Sequence, residues 1–178
     1  MPANTCVKRA LKSIENDPSK LLNVTYNDKS ITPKQYIPRS EAQTPPSLSL
    51  PTATPTPTPS PTYLLIMLDL DAPIPSLPLL GPILHWIQPN YTATPSGQLT
   101  TSSPFIANYI GPAPPPGSAP HRYSFYLFEQ PAAFDAAKYA PAAGKPLSNW
   151  YRMRFDLDAW QQMAGLGEPV AVNYFLSN

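Results

Sequence analysis

Cysteine is almost missing from this chain: Cys6 stands alone among 178 residues, so no internal disulfide can form. Charge is also scarce. Only 13% of residues are charged, and 12 basic against 11 acidic side chains leave a net +1. That balance gives no electrostatic attraction to nucleic acid or to an anionic membrane, so neither is expected as a partner. The most apolar stretch, Leu77 to Ile87, is too short to span a bilayer and carries Pro78, Gly81, Pro82 and His85. Lys8, Arg9, Lys12, Glu15 and Asp17 interrupt any apolar leader at the N-terminus. A cytoplasmic protein is therefore expected, with a secreted form whose signal peptide has been removed as the alternative. There is no Gly-x-Ser-x-Gly elbow, no glycine-rich phosphate loop, no zinc-protease helix and no Cys/His metal spacing. No metal and no cofactor are expected. Cys6 lies in a predicted helix far from either histidine, and nothing in the sequence marks Ser118 as an activated nucleophile.

Proline, by contrast, is abundant at 27 residues. An interior proline costs a helix about 3 kcal/mol, which argues against a helical protein. Part of the excess is a low-complexity run from Thr44 to Thr62, whose Thr-Pro alternation favours extended, polyproline-like backbone. We read it as a semi-rigid surface loop, centred on about 51–62, rather than as a kinase-docking or SH3-type ligand. The length suits one domain over residues 1–178.

Helical spacing of Val7, Ala10, Leu11 and Ile14 predicts an amphipathic N-terminal helix bounded by Pro18. Strands are predicted at 21–26, 47–50, 63–68, 83–88, 105–110, 122–129 and 170–176. The continuous apolar run of Tyr63 to Leu68 fits a strand buried on both faces. Residues 131–146 read as a surface excursion with a turn or two of helix. Asp156 can N-cap a helix carrying Leu157, Trp160 and Ala164, with Gly165 as its stop. These elements predict a mainly-β sandwich with Greek-key crossing and a few short peripheral helices.

The chemistry-bearing residues interrupt this apolar pattern. Asp69 and Asp71 end the 63–68 strand, and extended backbone projects both to one side. Such paired carboxylates need a shared proton or a cationic partner such as an imidazolium. His85 sits in an apolar strand, and His121 opens another, followed by Arg122 and Tyr123. Each has an ordinary structural explanation alone: a loop-capping carboxylate, a core imidazole, a β edge. Their coincidence after apolar strands suggests a small pocket with a polar floor.

Together these segments resemble the phosphatidylethanolamine-binding protein (Raf kinase inhibitor protein-like) family, in a fungal-type form. Asp69-Leu70-Asp71-Ala72-Pro73 is similar to the family's Asp-Pro-Asp-Ala-Pro, with Leu70 replacing the first proline. Gly111 to Tyr123 is similar to its Gly-x-x-Pro-Pro-x-Gly-x-x-x-His-Arg-Tyr segment, and Leu84-His85-Trp86 falls at the pocket histidine. Gly165 to Ala171 fits the stretch before its final strand. The resemblance covers roughly residues 20–178 and implies a pocket for phosphate or carboxylate, with Asp69, Asp71, Pro73, His85, Gly111, Pro114, His121 and Tyr123 as ligand-binding residues. Imidazole donors would hold the anion while the carboxylates orient them, so affinity would rise as pH falls from about 8 to about 6. Cis peptide bonds are implied at Ala72–Pro73 and Gly81–Pro82. Three departures stand out. Ile83 and Leu84 occupy the places where many relatives carry tryptophan. The Thr-Pro segment is extra. The sequence also stops at Asn178, before the C-terminal helix that flanks the pocket in mammalian relatives, so a more open pocket is expected.

The resemblance implies a non-enzymatic binding protein for a small anion, with a protein partner to regulate. The alternative is catalytic: fungal members also occur in polyketide pathways that couple maleic-anhydride or carboxylate substrates, where His121 or His85 would act as general acid/base beside Asp69. Protease inhibition through a surface loop has no specific support in the sequence.

Overall fold

Two antiparallel sheets carry the architecture in the computed structural model, which describes residues 2–50 and 60–178. Helix α1 is Thr5–Asn16 and α2 is Leu157–Ala164; the strands are β1 Asn23–Tyr26, β2 Lys29–Ser30, β3 Ser47–Ser49, β4 Thr62–Asp69, β5 Ile83–Ala93, β6 Leu99–Thr100, β7 His121–Glu129 and β8 Ala171–Ser177. The small sheet has the order β2-β1-β3 and the large one β6-β5-β4-β7-β8. In the large sheet β4, β5 and β6 form a meander, and β7 returns to lie beside β4, which is a Greek key. The fold is mainly β, as the sequence predicts.

The apolar run at the centre reads continuously because β4 is covered twice. Leu65 and Met67 face the small sheet in one core, with Val24, Tyr26, Leu48, Phe125 and Phe175. Leu64, Ile66 and Leu68 face the other way, against Val7 and Ala10 of α1, Leu157 and Ala164 of α2, and Tyr126 and Phe128 of β7. All five β4 residues are 0% exposed, and full burial of such side chains contributes about 1.5–3 kcal/mol each. The helix N-termini cap one another across this core. Asp158 of α2 accepts from the Thr5 and Cys6 amides at 2.7 and 2.9 Å, and Asn4 Oδ1 accepts from the Leu157 amide at 2.8 Å. Asp156 accepts from the Ala159 amide, and Gly165 ends α2 at φ 67°, the left-handed stop expected there.

The structure corrects several element predictions. Residues 105–110 form no strand; Ala107 only bridges Ile87, and Ile110 N–H donates to the His85 carbonyl at 3.0 Å. β5 runs on to Ala93, and the two-residue strands β2 and β6 carry too little pattern to be read from sequence. The Thr-Pro loop prediction falls largely on residues 51–59, which lie outside the described residues.

Candidate functional site

Antiparallel pairing brings the C-terminal end of β4 together with the N-terminal ends of β5 and β7. Asp69, the last residue of β4, pairs with Ile83 on one side and Tyr123 on the other. Its Oδ2 accepts from His121 Nδ1 at 2.8 Å and its Oδ1 accepts from the Asp71 amide at 2.9 Å. That second bond turns the chain, so the expectation that Asp71 shares Asp69's side fails: strand alternation ends with the strand. The Asp71 carboxylate instead accepts from Arg122 N–H, Nε and Nη2 at 2.8, 2.8 and 2.6 Å, clamping the start of β7 to the end of β4. Asp71 does not line the pocket.

His121 is fully buried, and both ring nitrogens have protein partners: Asp69 Oδ2 on Nδ1 and Ser118 Oγ on Nε2 at 2.9 Å. Ser118–His121–Asp69 is thus in line as in a nucleophile relay. However, the Ser118 hydroxyl donates to the Ala119 carbonyl at 2.9 Å, which commits its one proton, and Ser118 is not on the pocket wall. The arrangement positions the imidazole and leaves the serine unexposed to substrate. Tyr123 also departs from its expected role. It is 0% exposed and packs beneath the pocket, edge-on to His85 at 5.1 Å and stacked on His121 at 6.4 Å, with its hydroxyl unpaired among the described residues.

His85 owes its aim to a β-bulge. Met67 pairs with Trp86 and Leu68 with Leu84, so His85 is the extra residue between two registered pairs. The two cores claim its neighbours, Trp86 on the small-sheet side and Leu84 on the helix side, which leaves the imidazole to the pocket. Nδ1 lies 2.8 Å from the Ile110 carbonyl, an acceptor only, so Nδ1 carries the proton. Nε2 has no partner among the described residues. Burial is the main cause that pushes the His85 pKa below its ordinary value; the Ile110 bond and Asp69 pull it back, while Arg152 and His121 lower it further. The expected imidazolium donor is therefore a neutral ring offering a lone pair.

These groups line a cavity of about 470 Å³, together with Ala72, Pro73, Leu80, Ile83, Ile110, Gly111, Ala113, Pro114, Pro115, Asn149, Arg152 and Met153. The bonds Ala72–Pro73 and Gly81–Pro82 are both cis, and the Gly81 amide donates to the Ala72 carbonyl at 3.0 Å, joining the two turns at the rim. Pro73 lines the wall but has no N–H to offer. Gly111 is small for a packing reason: a Cβ there would lie 2.7 Å from the Ala42 carbonyl oxygen and 2.7 Å from Gln43 Oε1. Trp86 sits in the core against Tyr91 and Tyr109, so the wall at this point is aliphatic, made by Leu80 and Ile83.

Arg152 is the residue that sequence reading missed. It is 1% exposed, and a short 3-10 turn, Asn149–Arg152, delivers it to the pocket. Nε donates to the Leu147 carbonyl at 3.1 Å, Nη1 to the Leu84, Asn108 and His85 carbonyls at 3.1, 3.1 and 3.4 Å, and Nη2 to Asn108 Oδ1 at 2.6 Å. Every acceptor is neutral, and no carboxylate pairs with it among the described residues. An arginine two residues after an exposed Trp150 reads as surface; only the tertiary fold buries it.

A Greek-key β-sandwich with a proline-walled pocket at one strand end is the class that this fold and site define. The family model for phosphatidylethanolamine-binding protein matches residues 27–175, and the chain belongs to that family. It is 42% identical over 103 residues to phomoidride biosynthesis cluster protein N of Talaromyces stipitatus, a match covering 54% of this chain and 50% of that protein. It is 32% identical over 160 residues to rice protein MOTHER of FT and TFL1 homolog 2, covering 90% and 82%. The match to the first of these relatives thus spans about half of its length. Among solved structures, carboxypeptidase Y inhibitor complexed with its cognate proteinase superposes with a TM-score of 0.72 at 22% identity, over 97% of this chain and 93% of that one, a likeness of fold. No helix among the described residues is long and apolar enough to cross a membrane, and none of their His, Cys, Asp and Glu side chains group to hold a metal ion.

Proposed function

We propose that the chain binds a small anion, a phosphate or a carboxylate, in the cavity at the end of β4, β5 and β7, and that a protein partner reads the occupied state. The observation that carries this reading is a cavity whose walls, Asn149 apart, are otherwise apolar, glycine or proline, yet which collects Asp69, His85, His121 and Arg152 from four separate parts of the chain. Each Asp69 oxygen already accepts one hydrogen bond, from His121 and from the Asp71 amide, so its charge serves the imidazole, and the guanidinium is the cation left to face the ligand. The Gly111 amide, unpaired among the described residues, is a further donor at the wall.

A second reading has an observation of its own. His85 has a fixed tautomer with Nε2 unprotonated and open, which is the state a general base needs. With the similarity to a phomoidride biosynthesis cluster protein, this supports a role in coupling carboxylate or maleic-anhydride substrates in fungal polyketide biosynthesis, with His85 as the base.

Calorimetric titration of inorganic phosphate and of maleate into wild type and His85→Phe tests the binding reading. A hydrogen bond between a charged group and a neutral partner contributes about 1.5–3 kcal/mol, so losing the one from the anion's hydroxyl to the His85 lone pair should weaken binding roughly ten- to a hundredfold with the circular dichroism unchanged. Absence of saturable binding of either anion to wild type, or equal binding to the variant, overturns it.

A further inference from the structure

We infer that the pocket selects anions that still carry a proton: Arg152 takes the charged oxygen, and the bare Nε2 of His85 accepts from the ligand's hydroxyl. The inference rests on the binding reading above and names its ligand class, a monoprotonated phosphate, phosphomonoester or dicarboxylate.

Donor counting leads there. Arginine has five N–H donors. Those on Nε and Nη1 meet backbone carbonyls, and Nη2 bonds only Asn108 Oδ1, which leaves one Nη2 proton without a partner among the described residues. This is a buried cation with no counter-ion, a costly state that an anion in the cavity relieves. His121 cannot share the task, because both of its nitrogens are engaged. His85 presents the opposite polarity: the Ile110 carbonyl takes its one proton, so the atom facing the cavity only accepts. The groups facing His85 reinforce this. Asp69 comes from β4, His121 and Tyr123 from β7, and Arg152 from the turn before α2, while the wall of residues 110–115 has no titratable side chain. Arg152 donates to the carbonyl of His85 itself, so the cation opposes protonation of that ring. A fully deprotonated anion would set a charged oxygen against the His85 lone pair and near Asp69. An anion with one hydroxyl satisfies both His85 and Arg152.

Phosphate and sulfate separate the two logics, since they match in shape but sulfate has no proton near neutrality. Inorganic phosphate keeps a hydroxyl as monoanion and as dianion, so calorimetry should show it binding from about pH 6 to about pH 8, whereas a phosphomonoester should weaken over that range as its one hydroxyl is lost. Sulfate should bind at least about tenfold more weakly throughout, because a buried acceptor left unpaired is a strong discriminator. Maleate should weaken as the phosphomonoester does, because hydrogen maleate also loses its one proton in this range. Sulfate within about threefold of phosphate, or both anions tightening together towards low pH as an imidazolium site requires, overturns the selectivity and leaves the pocket standing. If neither phosphate nor maleate binds to wild type, the underlying reading fails instead. Arg152→Lys keeps the charge but loses the fork, and should weaken phosphate about tenfold or more. Because that variant also gives up carbonyl contacts, the wild-type phosphate–sulfate comparison decides if it does not fold.

Discussion

Burial keeps the His85 imidazole neutral, and that couples its protonation to folding. Its folded pKa lies below the ordinary value of 6.5, so the unfolded chain binds more protons in the interval between the two. Stability must therefore be fully present above about pH 6.5 and fall as pH drops towards the folded value. Urea midpoints measured against pH should show this loss in wild type and a shallower acid slope in His85→Gln, whose amide keeps a donor for the Ile110 carbonyl. Equal slopes would mean that the ring is solvated and free to protonate. At this scale the sequence discloses residue types and little else. Asp69, His85 and His121 stand out as polar intrusions in apolar strands, and the structure puts all three on one cavity. Which nitrogen faces that cavity depends on a bulge and on the Ile110 carbonyl, neither of which is written in local pattern. Strand alternation places Asp71 beside Asp69, but the strand ends at Asp69, two residues short of it.

Among the elements, the segment from Gly111 to Pro115 depends most on a close approach. With the Ala42 carbonyl 2.7 Å from where a Cβ would sit, Gly111→Ala must push the wall away from residues 42–43. Overpacking of this kind costs about 1–3 kcal/mol, and the variant should also bind phosphate less well because Ile110, Ala113 and Pro114 of the same segment line the pocket. A thermal melt and a titration of the same sample check both. Strands β4, β7 and β8 and both helices could be read directly, since burial on two faces yields a continuous apolar run, aromatic alternation marks β7, and Asp156 and Gly165 punctuate α2. The 105–110 stretch has strand composition but pairs with β5 only through Ile87 and His85, between flanking prolines that cannot donate to a ladder. Its contribution is to supply the Ile110 carbonyl and Asn108, which fix His85 and Arg152.

For the whole molecule, the pocket exists only after long-range assembly: Asp69 and His121 are 52 residues apart, and Arg152 and Leu84 are 68 apart, yet each pair shares a hydrogen bond. Resemblance to a family discloses the fold and most of the wall, whereas Arg152, the one cation on that wall, comes from a segment whose local sequence looks like surface. Locating a bound anion in a crystal tests the central claim most directly. Arsenate is protonated near neutrality as phosphate is, and its anomalous scattering marks its position without bias. Crystals soaked in arsenate near pH 6 should show one anomalous peak within hydrogen-bond distance of Arg152 Nη2 and His85 Nε2. A peak only at surface lysines and arginines, or an empty cavity at saturating arsenate, would contradict the account.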